Sequence, residues 1–223
     1  MLVPVRAADS LVALDSASGA VLWRSALPGG GVSGQPVLAP GEATLFAGGG
    51  DSRLWALSLL GAHACAAGPS PRPLWNVSLG GHLDASPAVS ADGRLVFAAT
   101  DENKATRNGS QLYALDAATG ALAWSFRPSC HPTLGCGFAK DGQRAGGSPL
   151  YGAGFYSSPV YHRGVVYIGS EWGHIHALNA SDGATVWEYA PPFVSKAGAP
   201  WVEGRCASAP PNSLASTIAA PAS

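Results

Sequence analysis

Charge is what this sequence has least of. Thirteen Lys and Arg against fourteen Asp and Glu make 12% of the 223 residues, about half the usual share, and leave a net charge of −1. A chain so weakly charged has no basic face for a nucleic-acid backbone, so no nucleic-acid partner is expected. Good helix formers are scarce beside 29 Gly and 18 Pro, together more than a fifth of the chain, which excludes a coiled coil or helical bundle. No run approaches the ~18 apolar residues of a membrane span. No Gly-x-Ser-x-Gly elbow occurs, and the glycine runs at 29–31 and 48–50 lack the Lys-Ser/Thr of a phosphate loop. Nor is there a charged-then-apolar leader with a small-residue cleavage site, so no signal peptide is expected in this chain.

What is present is a repeat. Ala114-Leu-Asp116-Ala-Ala-Thr119-Gly120-Ala-Leu-Ala-Trp124 reads as strand, tight turn, strand. Ala13 to Trp23 repeats it with Asp15 and Gly19 in place, and Ala177 to Trp187 repeats it with Asn179 and Gly183. A fourth copy opens at Ala56 and closes at Trp75, interrupted by an insertion, Leu59 to Pro73. The flanks repeat as well: Val166–Leu178 aligns without gaps on Leu45–Leu57 and on Leu2–Leu14. The Trp-to-Trp steps of 52, 49 and 63 residues each fit one four-stranded antiparallel unit. The opening Asp or Asn can bond backbone N–H groups two residues on. The Gly four positions later supplies the positive φ that a hairpin with a G1-type bulge requires. A Trp recurring at one strand position is large enough to fill the wedge between stacked sheets, so Trp23, Trp75, Trp124 and Trp187 are read as packing residues.

These residues resemble the pyrroloquinoline-quinone-like (PQQ-like) repeat β-propellers, whose blades carry Ala-x-Asp-x-x-Thr-Gly-x-x-x-Trp. The match is complete at Ala114–Trp124, near complete at Ala13–Trp23, weaker at Ala177–Trp187 and interrupted at Ala56–Trp75. The resemblance implies an all-β fold: a partial propeller of about four four-stranded antiparallel blades, an open arc from a ring of seven or eight. The units run at about 2–28, 32–79, 84–128 and 156–192, with loop insertions at 59–73 and 129–155. They make up a propeller segment over residues 1–205. Residues 206–223 follow as a tail in which 13 of 18 residues are Ala, Ser or Pro, a composition that cannot bury a core. The first unit, opening at Leu2, supplies only three strands. The family includes quinone-dependent alcohol and sugar dehydrogenases, an outer-membrane assembly scaffold and lumenal stress-sensing domains, so fold alone does not settle activity.

A quinone dehydrogenase needs a carboxylate base, a divalent cation on oxygen ligands and an aromatic floor for the cofactor. Here Asp15 and Asp116 are committed to the repeat turns, and Asp51, Asp92, Asp101, Asp141 and Asp182 read as loop residues. Asp84 and Glu171 are the least explained. Adjacent cysteines, which those dehydrogenases often carry, are absent. No catalytic residue is therefore assigned, the cofactor-binding residues are unknown, and no metal site is assigned. His174 and His176 alternate on one strand as a metal pair could. Their aligned positions, Arg53 and Trp55 or Ser10 and Val12, read instead as a partly solvated face, and no third ligand is evident.

Cys130 and Cys136 flank a five-residue loop and read either as a bridge pinning it or as two free thiols; with Cys65 and Cys206 the pairing stays open. Three of the five Asn, namely Asn76, Asn108 and Asn179, sit in glycosylation-type sequons. With only three Lys and a candidate loop disulfide, they point to an extracytosolic compartment. The expected function is a non-enzymatic propeller segment, a binding or scaffold module of a larger extracytosolic protein. A protein or ligand would dock on its loops, further blades would belong to the parent protein, and no cofactor would be bound. The alternative is a fragment of a PQQ-dependent alcohol or sugar dehydrogenase, holding PQQ with a divalent cation.

Overall fold

The computed structural model describes residues 2–5, 10–27, 32, 34–60, 70–101, 111–128, 155, 157–170 and 174–189. All regular structure among them is β, in four antiparallel sheets. The first sheet has three strands, β1 (Leu2–Val5), β2 (Ser10–Leu14) and β3 (Val21–Ala26). The second holds β4 (Val37–Leu38), β5 (Thr44–Gly48), β6 (Arg53–Ser58) and β7 (Arg72–Ser78). The third holds β8 (Ala88–Val89), β9 (Leu95–Ala99), β10 (Leu112–Asp116) and β11 (Leu122–Phe126). The fourth holds β12 (Val160–His162), β13 (Val165–Gly169), β14 (Ile175–Asn179) and β15 (Thr185–Tyr189). Strand order within each sheet follows the chain, an up-and-down meander. The chain is thus a partial propeller of four stacked sheets, all within one compact unit, Met1–Pro191.

Local chemistry explains the hairpins. In the third sheet Asp116 Oδ1 accepts from the backbone N–H of Ala118 and Thr119 and from the Thr119 hydroxyl, at 3.1, 2.8 and 2.7 Å. Asp15 does the same with Ala17 and Ser18. Gly19, Gly120 and Gly183 close these turns at φ of 71°, 75° and 75°, where a side chain would be strained. One residue beyond each turn comes a feature that spacing alone does not announce. The ladder slips by one residue between Ala13 and Leu14, Ala56 and Leu57, Ala114 and Leu115, and Ala177 and Leu178. Each slip is a one-residue bulge, and it sets the repeated Trp directly opposite the repeated Ala. The second sheet keeps its bulge although an insertion replaces its turn. Arg72 and Pro73, expected at the end of that insertion, already pair with Ser58 and Leu57 in β7. Pro73 is tolerated because β7 is an edge strand.

The core lies between sheets. Leu11, Ala13, Trp23 and Leu27 of the first unit pack with Leu45, Ala47, Trp55 and Leu57 of the second. Phe46, Leu54 and Ala56 then pack with Val96, Ala98 and Leu115 of the third. Phe97, Leu112 and Ala114 pack in turn with Val166, Ile168 and Leu178 of the fourth. Side-chain rungs join the leading ends of the units: the Ser86 hydroxyl accepts from Gln35 N–H at 2.8 Å, and the Ser158 hydroxyl from Ser86 N–H at 3.0 Å. These rungs precede β4, β8 and β12, the strands that face one another from sheet to sheet.

Candidate functional site

The repeated tryptophans form the joints of the stack. Trp75 Nε1–H donates to the Ala117 carbonyl at 3.1 Å, and Trp124 Nε1–H to the Ala180 carbonyl at 2.9 Å. Each ring lies on the turn glycine of the following sheet. A Cβ at Gly120 would come within 2.8 Å of the Trp75 ring, and one at Gly183 within 2.7 Å of the Trp124 ring. Trp23 is buried against the second sheet. At Gly19, in the first sheet, nothing lies within 4 Å of such a Cβ.

The fourth sheet presents the same face, and none of the other described sheets covers it. Cross-strand rows run Val37–Phe46–Ala56–Trp75 in the second sheet and Ala88–Phe97–Ala114–Trp124 in the third. In the fourth the row is Val160–Tyr167–Ala177–Trp187. Leu54 and Leu112 on the earlier faces are fully buried, whereas their counterpart Ile175 is 40% exposed. Val160 and Tyr189 on that face are 58% and 43% exposed.

Its opposite face, toward the third sheet, carries a polar cluster. Alternation along β14 puts His174, just before the strand, on the same side as His176, and Glu188 pairs directly with His176 across the ladder. These histidines are buried, 6% and 0% exposed, not part of a solvated face. The positions equivalent to His176 in the other sheets are Val12, Trp55 and Tyr113, of which Trp55 and Tyr113 fill the gap toward the preceding sheet. His176 sits between Phe126 and Phe155, with ring centroids 5.1 and 6.2 Å away. His174 Nδ1 lies 2.9 Å from Glu188 Oε1, and His176 Nδ1 lies 3.8 Å from the same oxygen. Neither ring nitrogen of His176 makes a hydrogen bond. Burial lowers the His176 pKa, with the Glu188 carboxylate opposing and His174 adding to the shift. The sequence signalled the His pair but not Glu188.

The other residues singled out from the sequence do not converge. Asp15, Asp92 and Asp116 are each held below the ordinary carboxylate range by hydroxyl groups, of Ser18, Ser90 and Thr119 respectively, and by turn N–H groups. Asp51 accepts from Arg53 N–H, and Asp182 from Ala184 N–H. Asn76 accepts from Arg53 on the surface, and Asn179 Oδ1 accepts from Ser181 within its turn. Glu171, Asp141, Asn108 and all four cysteines, Cys130 and Cys136 included, lie outside the described residues, as does most of both insertions. The cation that accompanies PQQ takes oxygen ligands. Among the described residues the one group of three or more His, Cys, Asp or Glu side chains close enough to share an ion is His174, His176 and Glu188, which is rich in nitrogen. That set does not fit a quinone's hard cation.

The model of the family described as outer membrane protein assembly factor BamB matches residues 2–64, 64–133 and 137–207. No curated protein matches the sequence closely enough to count as a relative. Among solved structures the chain is similar to BamB from Moraxella catarrhalis, at TM-score 0.53 and 20% identity over 85% of this chain and 47% of that one. It is also similar to a quinohemoprotein alcohol dehydrogenase from Pseudomonas putida HK5, at TM-score 0.52 and 20% identity over 81% of this chain and 31% of that one. A europium-containing methanol dehydrogenase matches at TM-score 0.59 and 17% identity over 85% of this chain and 39% of that one. The chain therefore spans less than half the length of these structures, and at such identities the likeness is one of fold.

Proposed function

Because the chain belongs to the PQQ-like repeat β-propeller family, on a model match that spans most of its length, we propose that it is a non-enzymatic binding or scaffold segment of a larger extracytosolic protein. The observation that carries this reading is the uncovered row on the fourth sheet. Phe46 and Phe97 lie fully buried under the next sheet of the stack, while Val160, Ile175 and Tyr189 stand ready for the same kind of cover. Its occupant is a further four-stranded sheet of the parent protein. The irregular insertions at 59–73 and 129–155 are the docking loops for a protein or ligand partner, since loops on a rigid repeat frame carry the variable contacts. Support for the compartment comes from the family's outer-membrane description and from the Asn76 sequon, which is exposed.

A quinone-dependent dehydrogenase fragment is the second reading, favoured by the fold it shares with the two alcohol-oxidising neighbours. Titration of the full-length parent protein with PQQ and Ca²⁺, followed by dye-linked alcohol oxidation, separates the two. The scaffold reading expects no quinone uptake and no dye reduction. Stoichiometric quinone binding with turnover would replace it by the dehydrogenase.

A further inference from the structure

We infer that His174, His176 and Glu188 form a three-ligand site for a divalent transition-metal ion of the zinc class, clamping β14 to β15. Three independent features lead there. The first is His176 itself: a fully buried imidazole, walled by Phe126 and Phe155, with neither nitrogen hydrogen-bonded. A ring placed only for packing would gain by being apolar, as Val12 is at the equivalent position. Tyr113, also equivalent, has its hydroxyl satisfied by the Leu79 carbonyl at 2.9 Å. Among the described residues nothing stands within hydrogen-bond distance of the polar edge of His176, the Glu188 carboxylate lying 3.8 Å away.

The second feature is geometry. One donor atom from each residue lies within 4.8 Å of the others. A tetrahedral Zn²⁺ with ligands at ~2.0–2.1 Å holds them about 3.3 Å apart. The His176–Glu188 separation of 3.8 Å has to close by about half an ångström, the His174–Glu188 contact of 2.9 Å to open by about as much, and the donor atoms of the two histidines, within 4.8 Å of each other, to draw in by up to about 1.5 Å. Without an ion, His174 Nδ1 and Glu188 Oε1 are in direct hydrogen-bond contact.

The third is the donor set. Two imidazoles and a carboxylate suit Zn²⁺, Co²⁺ or Ni²⁺, and fit neither Ca²⁺ nor Mg²⁺. Both histidines are buried while the Glu188 side chain stays 31% exposed, so the site opens to solvent on the carboxylate side. A water completes the fourth position there.

The test is Co²⁺ and Zn²⁺ titration of the EDTA-stripped 223-residue chain, read by Co²⁺ visible absorption, calorimetry and thermal melting. The wild type should bind one ion with the intense bands of a tetrahedral N/O site, and Zn²⁺ should raise Tm. His176→Phe keeps an aromatic ring between Phe126 and Phe155 and should lose that ion and its Tm shift. Glu188→Gln, at a side chain that reaches solvent and keeps its size on substitution, should weaken binding about tenfold or more. Unchanged binding in Glu188→Gln would place the ion elsewhere, at the cysteines for example, and overturn the assignment. So would a wild-type chain that takes up no Co²⁺, which would leave His176 a packing residue.

Discussion

Gly120 and Gly19 occupy the same place in the repeat and have nearly the same φ, yet they stand in different company. A Cβ at Gly19 meets open space, while one at Gly120 meets the Trp75 ring. Gly19→Ala should therefore lose only the backbone preference, about 1–2 kcal/mol. Gly120→Ala should lose about 1–3 kcal/mol more, because the ring must move. Equal losses in chemical denaturation would mean that the Trp75 dock contributes nothing. The turn aspartates make a second residue-scale prediction. The carboxyls of Asp15 and Asp116 are lowered in the folded state, first by the Ser18 and Thr119 hydroxyls and then by turn N–H groups. A lowered folded pKa means stabilisation that is complete above the unfolded value and lost as pH falls through the folded one. Stability should decline below about pH 4, and the Asp116→Asn chain should decline less steeply over that window in acid titrations followed by circular dichroism.

At the scale of elements, the joint is one outer strand gripping the next sheet's turn. Trp124→Ala should destabilise by about 3 kcal/mol, the low end for a large aromatic because the ring is only half-buried. Trp124→Phe keeps most of the contact but leaves the Ala180 carbonyl without its donor, a loss of about 1 kcal/mol. Trp187→Ala, at a ring with no following turn among the described residues, should cost about 1 kcal/mol or less. Melting curves of the three variants rank them. Strands, turns and four-sheet organisation were legible because Asp, Gly and Trp each have a local reason to recur. A G1-type bulge at the turn glycine was expected, but the further slip between Ala177 and Leu178 was not, and it hid the third member of the polar cluster. Counting back from the Asn179 turn without a bulge sets Trp187 opposite His176 and sends Glu188 to the other face. The slip between Ala177 and Leu178 moves the register by one and brings Glu188 alongside the histidines. Burial of His174 was equally hidden, since the aligned Arg53 and Ser10 are polar, whereas the apolar Trp55 and Val12 aligned with His176 did carry a signal for its burial.

Across the whole molecule, no apolar cluster among the described residues joins the fourth sheet to the first. The exposed Val160, Ile175 and Tyr189 make a patch that soluble monomers seldom leave bare. The isolated 223-residue chain should self-associate with rising concentration in light scattering, and Val160→Asp with Tyr189→Asp should return it toward monomer. A compact monomer at high concentration would show that this face is covered some other way. What the loops recognise was not legible at all, because irregular segments carry no period from which to argue.

The direction of the tryptophan joint has a consequence for how such a chain is made. Two of the rings wait for a turn that lies later in the sequence: Trp75 for Ala117, 42 residues on, and Trp124 for Ala180, 56 residues on. On a ribosome adding ~5–20 residues per second, each ring stays undocked for roughly two to eleven seconds after it is synthesised. Sheets can form their own hairpins as they emerge, but each can be locked only by its successor. The nascent chain is therefore always one unit short of finished, with an indole exposed at its growing end. Such a chain needs either a chaperone in attendance or an unbroken supply of the next repeat.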